Sequence, residues 1–145
     1  MRPFEHYLAE NMVKCMSPDP HLGEALHADA TSRLSDAKEL DPARFSKIVF
    51  ETCYDALRDL MDSLLAIDGF KSYSHQASIA YLSEYRFDES DIYTLDHFRH
   101  IRNASKYYGR SIPPETAHEI LSFTEAFASN ILGLIEKRLK EIRSF

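Results

Sequence analysis

Residues 42 to 67 constrain the fold of this chain more than any other stretch. Phe45, Ile48, Val49, Thr52, Cys53, Ala56, Leu57, Leu60, Met61, Leu64 and Leu65 recur at a period of about 3.6 and sweep out a broad apolar face. Glu51, Asp55, Arg58, Asp59 and Asp62 decorate the other side. Asp41-Pro42 supplies a start signal, a capping carboxylate before a proline, and Gly69 supplies the stop. A helix of this kind is stable only when other helices cover its face.

The rest of the chain offers those helices. Phe4, Tyr7, Leu8 and Met12 give residues 3 to 16 an apolar stripe. After a break at Ser17 to Pro20, the Asp19-Pro20 signal opens a rather polar helix to about Leu40, with Leu22, Leu26, Ala30 and Leu34 inward. It is expected to lie across the outside of a bundle, and Gly23 near its start costs about 1 kcal/mol relative to alanine. Ser74 can cap a short helix over 74–85, and Asp88 to Ser90 opens another that runs to Gly109. Pro113-Pro114 starts the last and longest helix, to about Ile142, with an apolar set from Ile120 to Leu139 too wide for one neighbour. No stretch alternates at period two for long, and no hairpin signal is present. The expected fold is all-α: an up-and-down helical bundle of four main helices with one or two short additional helices. A chain of 145 residues suits a single domain, 1–145, with a core over 42–142 and an N-terminal helical extension over 1–40.

Charge and cysteine usage narrow the function classes. A net charge of −6 argues against a protein that coats nucleic acid non-specifically, while leaving room for a local basic site. Cys15 and Cys53 form no CxxC pair and read as reduced core thiols, with a single disulfide also open. The first residues form no apolar leader and no window approaches a membrane span, so the expected compartment is the cytoplasm and no membrane partner is expected.

The chemistry concentrates in residues 91–109, DIYTLDHFRHIRNASKYYG. Ile92, Leu95, Phe98, Ile101 and Tyr108 follow helical spacing and define the expected packed face. Arg99, Arg102 and Lys106 share a side, and Tyr107 and Tyr108 are available to stack on a base. The helix dipole alone also favours acids at the start and bases at the end, so a purely structural origin of the basic run stands beside a phosphate-binding one. Arg102 lies near the apolar face and needs a carboxylate, a carbonyl or a phosphate; Glu51 and Asp55 are the possible buried acidic partners. Asn103 shares a side with Asp96, His100 and Tyr107. His97 and His100 beside Asp96 are too few for a metal site, and neither metal nor cofactor is expected. His75, just after a helix start, reads as a capping-turn or packing residue. As an acid–base site the set is thin: Arg102 supplies a cation, His100 faces away from it, and tyrosine at 107 is a poor base with an unperturbed pKa of about 10.

These stretches resemble the HEPN superfamily of small all-α domains. The resemblance rests on ETCYDALRDLMDSLLAIDGFKSYSHQ, on HFRHIRNASKYYG, and on the long terminal helix opened by Pro113-Pro114, and covers about residues 42 to 142. Many members are metal-independent endoribonucleases of toxin–antitoxin or defence type. In these an arginine followed by a polar residue precedes a histidine, and two copies meet across a dimer. Arg102 and Asn103 fit the first two positions. The histidine would fall at 107 to 109, where this chain has Tyr107, Tyr108 and Gly109. The resemblance therefore implies a homodimeric, non-catalytic or weakly active module that binds nucleotide, RNA or a nucleotidyltransferase-type protein partner. Arg99, Arg102, Asn103, Lys106, Tyr107 and Tyr108 would line its site. An endoribonuclease using Arg102 with His100 or Tyr107 is one alternative, and a structural helical protein without a ligand site is another.

Overall fold

A computed structural model of the chain describes residues 1 to 144. It is an all-α bundle whose long helices are α2 (Pro20–Lys38), α3 (Ser46–Asp68), α5 (Glu89–Tyr108) and α6 (Pro114–Arg143). Two short helices join them, α1 (Phe4–Ala9) and α4 (His75–Tyr81), the latter running into a single 3-10 turn over Leu82–Tyr85. Helix α3 is the centre. It packs against α2, α4, α5 and α6, and its residues from Val49 to Ile67 are buried on almost every side. Helix α6 packs against both α3 and α2, in keeping with an apolar set too wide for one neighbour. Its buried set, Ala117, Ile120, Thr124, Phe127, Ile131, Ile135 and Leu139, is one stripe, and the residues beside it are only partly covered.

Three local differences from the sequence reading have clear causes. The apolar stripe expected over 3–16 breaks at Ala9, because Asn11 takes a left-handed conformation and the chain turns into a strand. That strand, β1 (Val13–Cys15), pairs antiparallel with β2 (Phe70–Ser72) in the register Val13↔Ser72 and Cys15↔Phe70. Three residues are too few to show period-two alternation, so this small sheet left no mark in the sequence. It ends with the Tyr73 N–H donating to Met12 O at 2.9 Å, which fixes where Tyr73 stands. Second, Asp41 makes a turn, accepting from Ala43 N at 2.9 Å, and α3 begins later than expected, leaving Ile48 52% exposed. Third, Tyr108 is 81% exposed, and Ser105, seven positions after Phe98, closes the buried face of α5 instead. Cys53 is a buried thiol as expected, but Cys15 is exposed; the two are not bonded.

The N-terminal residues are not peripheral. Phe4, Tyr7, Val13, Ala30 and Ala37 belong to the same hydrophobic core as α3. Helix α2 lies against α3 because Gly23 permits it: a Cβ there would sit 2.5 Å from Ile67 Cγ1 and 3.2 Å from Ser63 O. The Ser63 hydroxyl donates to Gly23 O at 2.7 Å across the same contact. Gly69 caps α3 at φ +89°, where a side chain would also strike Met16 O. At this end of α3, Asp68 accepts from Tyr81 at 2.5 Å, from Tyr85, and from Arg138 Nη2 at 2.8 Å, tying α3 to α4 and α6. Phe50, Phe98 and Phe123 stack edge to face in sequence and set the spacing of α3, α5 and α6.

Gly23→Ala is expected to lower stability by about 1–3 kcal/mol, because overpacking at Ile67 outweighs the better helix propensity of alanine. Urea denaturation of the two proteins checks this, and an unchanged or raised midpoint would contradict the close approach described.

Candidate functional site

The C-terminal half of α5 forms one wall of a cleft whose opposite wall is α3 and whose end is the start of α4. Arg102 stands at its middle. It lines both a pocket of about 250 Å³ against α3 and a second of about 310 Å³ against the β2–α4 connection. Its guanidinium carbon lies 5.8 Å from the centre of the Tyr54 ring, within cation–π range. Nη1 also donates to Asn103 Oδ1 at 3.4 Å, a long bond.

The carboxylates expected to neutralise Arg102 do not. Glu51 is exposed, with Lys47 Nζ at 4.0 Å, and half-buried Asp55 faces Arg33 Nη1 at 3.6 Å. Both line the α3 pocket without pairing to Arg102. Among the described residues, no ion pair involves Arg58, Arg102 or Lys106. Arg99 is different: its Nε donates to Asp96 Oδ1 at 2.8 Å and its side chain is largely covered.

Tyr54, which the sequence reading passed over, and His75, which it read as a capping-turn or packing residue, complete the floor. Tyr54, buried on α3, shares a 2.9 Å hydrogen bond with His75 Nδ1 at the first turn of α4. The turn forms because the Ser74 hydroxyl accepts from Ala77 N at 3.2 Å. Burial pushes the Tyr54 phenol up to about 12, with the nearby arginines working against the shift. His75 is pulled down to about 4, first by burial and then by the positive field of Arg58, Arg102, Arg99 and Lys106. At neutral pH the pair is uncharged. When Tyr54 donates to Nδ1, the ring proton of His75 sits on Nε2. Four cations thus act on His75 in a chain of net charge −6, as a contribution secondary to its burial.

The other expected site residues divide. Asn103 and Tyr107 line the pocket near α4 together with Arg99, and Lys106 lines the one near α3. Tyr108 lines neither. His100 does not join Arg102: it is exposed and lies 3.5 Å from Asp96 Oδ2 and 3.2 Å from Arg99 Nη2 on the outer side of α5. Arg58 was the one signal available for the missed half of the site, since it is the sole base between Glu51 and Asp68 on an otherwise acidic helix. Comparison of the chain with family models, with curated proteins and with solved structures finds no match in any of the three.

The depressed His75 makes stability depend on pH. Between pH 6.5 and about 4 the unfolded chain takes up a proton that the folded chain refuses, so stability falls as pH is lowered through that window. Allowing for solvent screening of a half-exposed ring, the loss is on the order of 1–2 kcal/mol. Denaturation of wild type and His75→Asn at pH 7 and pH 4.5 is expected to show a smaller acid loss in the variant. Parallel pH dependences would mean that the proton affinity of His75 is not depressed in the folded chain.

Proposed function

We propose that this chain is a homodimeric, HEPN-like helical module that holds a phosphate-bearing ligand, a nucleotide or an RNA strand, in the cleft around Arg102. The observation that carries the reading is that Arg102 is half-buried, stacked on Tyr54, free of any carboxylate partner, and open to both pockets. A guanidinium set on an aromatic face keeps a fixed orientation, and its planar donors suit a phosphate. Arg58, Arg99 and Lys106 add charge around it, and Asn103 stands beside it as the polar residue of the HEPN-like motif.

A cleaving reading has one observation in its favour. His75 brings an imidazole to the Arg102 side of the cleft, which neither His100 nor Tyr107 provides. Its low proton affinity makes it a weak base at neutral pH, however, and Nδ1 is already engaged by Tyr54. Binding without cleavage is the better account.

A labelled single-stranded RNA titrated into the protein is expected to bind with affinity that falls as salt rises. Arg102→Ala is expected to weaken it roughly ten- to hundredfold, the loss of a charge-assisted contact of about 1.5–3 kcal/mol. The RNA is expected to remain intact. Equal affinity in wild type and Arg102→Ala would remove the binding reading. Cleavage lost in both Arg102→Ala and His75→Ala would put the catalytic reading in its place.

A further inference from the structure

Arg102 separates two pockets of different chemistry; one, of about 250 Å³, falls short of the range of about 300–1,000 Å³ for ligand sites, and the other, of about 310 Å³, only just enters it. We propose that the cleft takes a dinucleotide step of single-stranded RNA, with the linking phosphate on Arg102, one base in each pocket, and guanine favoured in the pocket beside α3. This rests on the phosphate-binding reading above and adds what that reading leaves open, the unit recognised and its base.

The pocket near α4 is suited to stacking. Tyr73, placed by the end of the small sheet, and Tyr107, on α5, are 62% and 65% exposed, and both line it. Aromatic rings left this bare within a cationic cleft are the pattern that single-stranded binding uses, because any base can stack on them. Lys71 Nζ lies 5.5 Å from the Tyr73 ring centre and Lys106 Nζ 5.8 Å from that of Tyr107, so each ring carries an ammonium beside it. The amides of Gln76 and Asn103, which donate and accept, line the same pocket.

The pocket near α3 has the opposite bias. Glu51 and Asp55, one helical turn apart, contribute only acceptors, and their nearest cations, Lys47 and Arg33, are no closer than 4.0 and 3.6 Å. Arg102 and Lys106 line the same pocket, so the carboxylates stand opposite cations. A base edge with adjacent N–H donors would be welcomed, and among the RNA bases guanine presents a ring N–H beside an amino group. Acid side chains accepting from base amino groups are an established form of base recognition.

Charge alone predicts a different order of affinities, which makes the proposal testable. A mononucleotide monoester carries about −1.5 to −2 at pH 7, whereas a dinucleotide diester carries a single charge. Wild type is titrated by calorimetry with inorganic phosphate, GMP, UpU, GpU and UpG. The expected result is that the guanine-containing dinucleotides bind at least about tenfold more tightly than GMP and more tightly than UpU, a gain of the size that one stacked base supplies. Tyr107→Ala is expected to remove that gain while leaving phosphate affinity unchanged, with Tyr107→Phe keeping it. Glu51→Gln combined with Asp55→Asn is expected to level GpU, UpG and UpU. Dinucleotides binding no more tightly than GMP, or Tyr107→Ala weakening phosphate and dinucleotide equally, would overturn the dinucleotide step. A guanine preference that survives the double substitution would overturn the role of the carboxylates. Wild type that binds neither phosphate nor GMP is a separate result, and would overturn the phosphate reading beneath the proposal.

Discussion

Helix α3 is enclosed on almost every side, and that enclosure governs where charge can go. A helix packed by four neighbours leaves little free face beyond its first turns, so the polar residues of its second half enter seams between elements. Asp68 enters the seam with α4 and α6 and is met by Tyr81, Tyr85 and Arg138. Asp62 faces Ser78 Oγ on α4 at 3.2 Å, its carboxyl held above the usual range by burial. Asp59 turns toward α2, where burial and the hydrogen-bonded Asp29 raise it to about 7 while Arg33 opposes the shift. Each of these acids has a donor, a proton or a cation to answer it. Arg58, the only base on this part of the helix, acts electrostatically on Asp62, Tyr54 and His75 and, among the described residues, pairs with no carboxylate.

The result is an uneven distribution of compensation. Among the described residues, the acidic seam at Asp68 is closed by an ion pair and tyrosine hydroxyls, whereas Arg58, Arg102 and Lys106 lie near a neutral His75 without an ion-pair partner. The proton affinity of that imidazole is lowered first by burial and further by the nearby cations. Rigid walls hold the arrangement in place. The Phe50–Phe98–Phe123 stack fixes α5 against α3, and the Ser46 hydroxyl, donating to Ile112 O at 2.8 Å, ties the α5–α6 connection to the start of α3.

Legibility in the sequence followed the physics of each element. The long helices were readable because amphipathic periodicity and caps are local, as Asp19, Ser74, Asp88 and Gly69 illustrate. The small sheet was not, since its pairing joins residues far apart and each strand is too short to alternate. Gly23 looked like a weakness in α2 and is the point of closest approach to α3, a fact that only the neighbouring helix defines. On α5, Arg99, Arg102, Asn103 and Tyr107 were found because one helix carries them. Tyr54, Arg58, His75 and Tyr73 come from other elements, and only tertiary packing brings them to Arg102. Tyr54 was hidden in a hydrophobic face, where a tyrosine looks like any other bulky residue until its hydroxyl acquires a partner.

Under the HEPN-like reading proposed above, Tyr107 stands where a histidine would be expected, and the geometry bears on that. Tyr107 stands on the exposed rim, 65% accessible, while the one imidazole on the Arg102 side sits at the floor beneath a ring of cations. A residue that must take a proton from a ribose hydroxyl needs proton affinity near the working pH, and a positive surround removes it. The same surround strengthens attraction for a phosphate already formed. Burial first, and the surrounding cations second, make His75 a poor base, while those same cations would draw a phosphate toward Arg102. On that argument, changing position 107 alone to histidine would add an imidazole at the rim without altering the cations at the floor, so it would enlarge the binding surface before it restored a reaction.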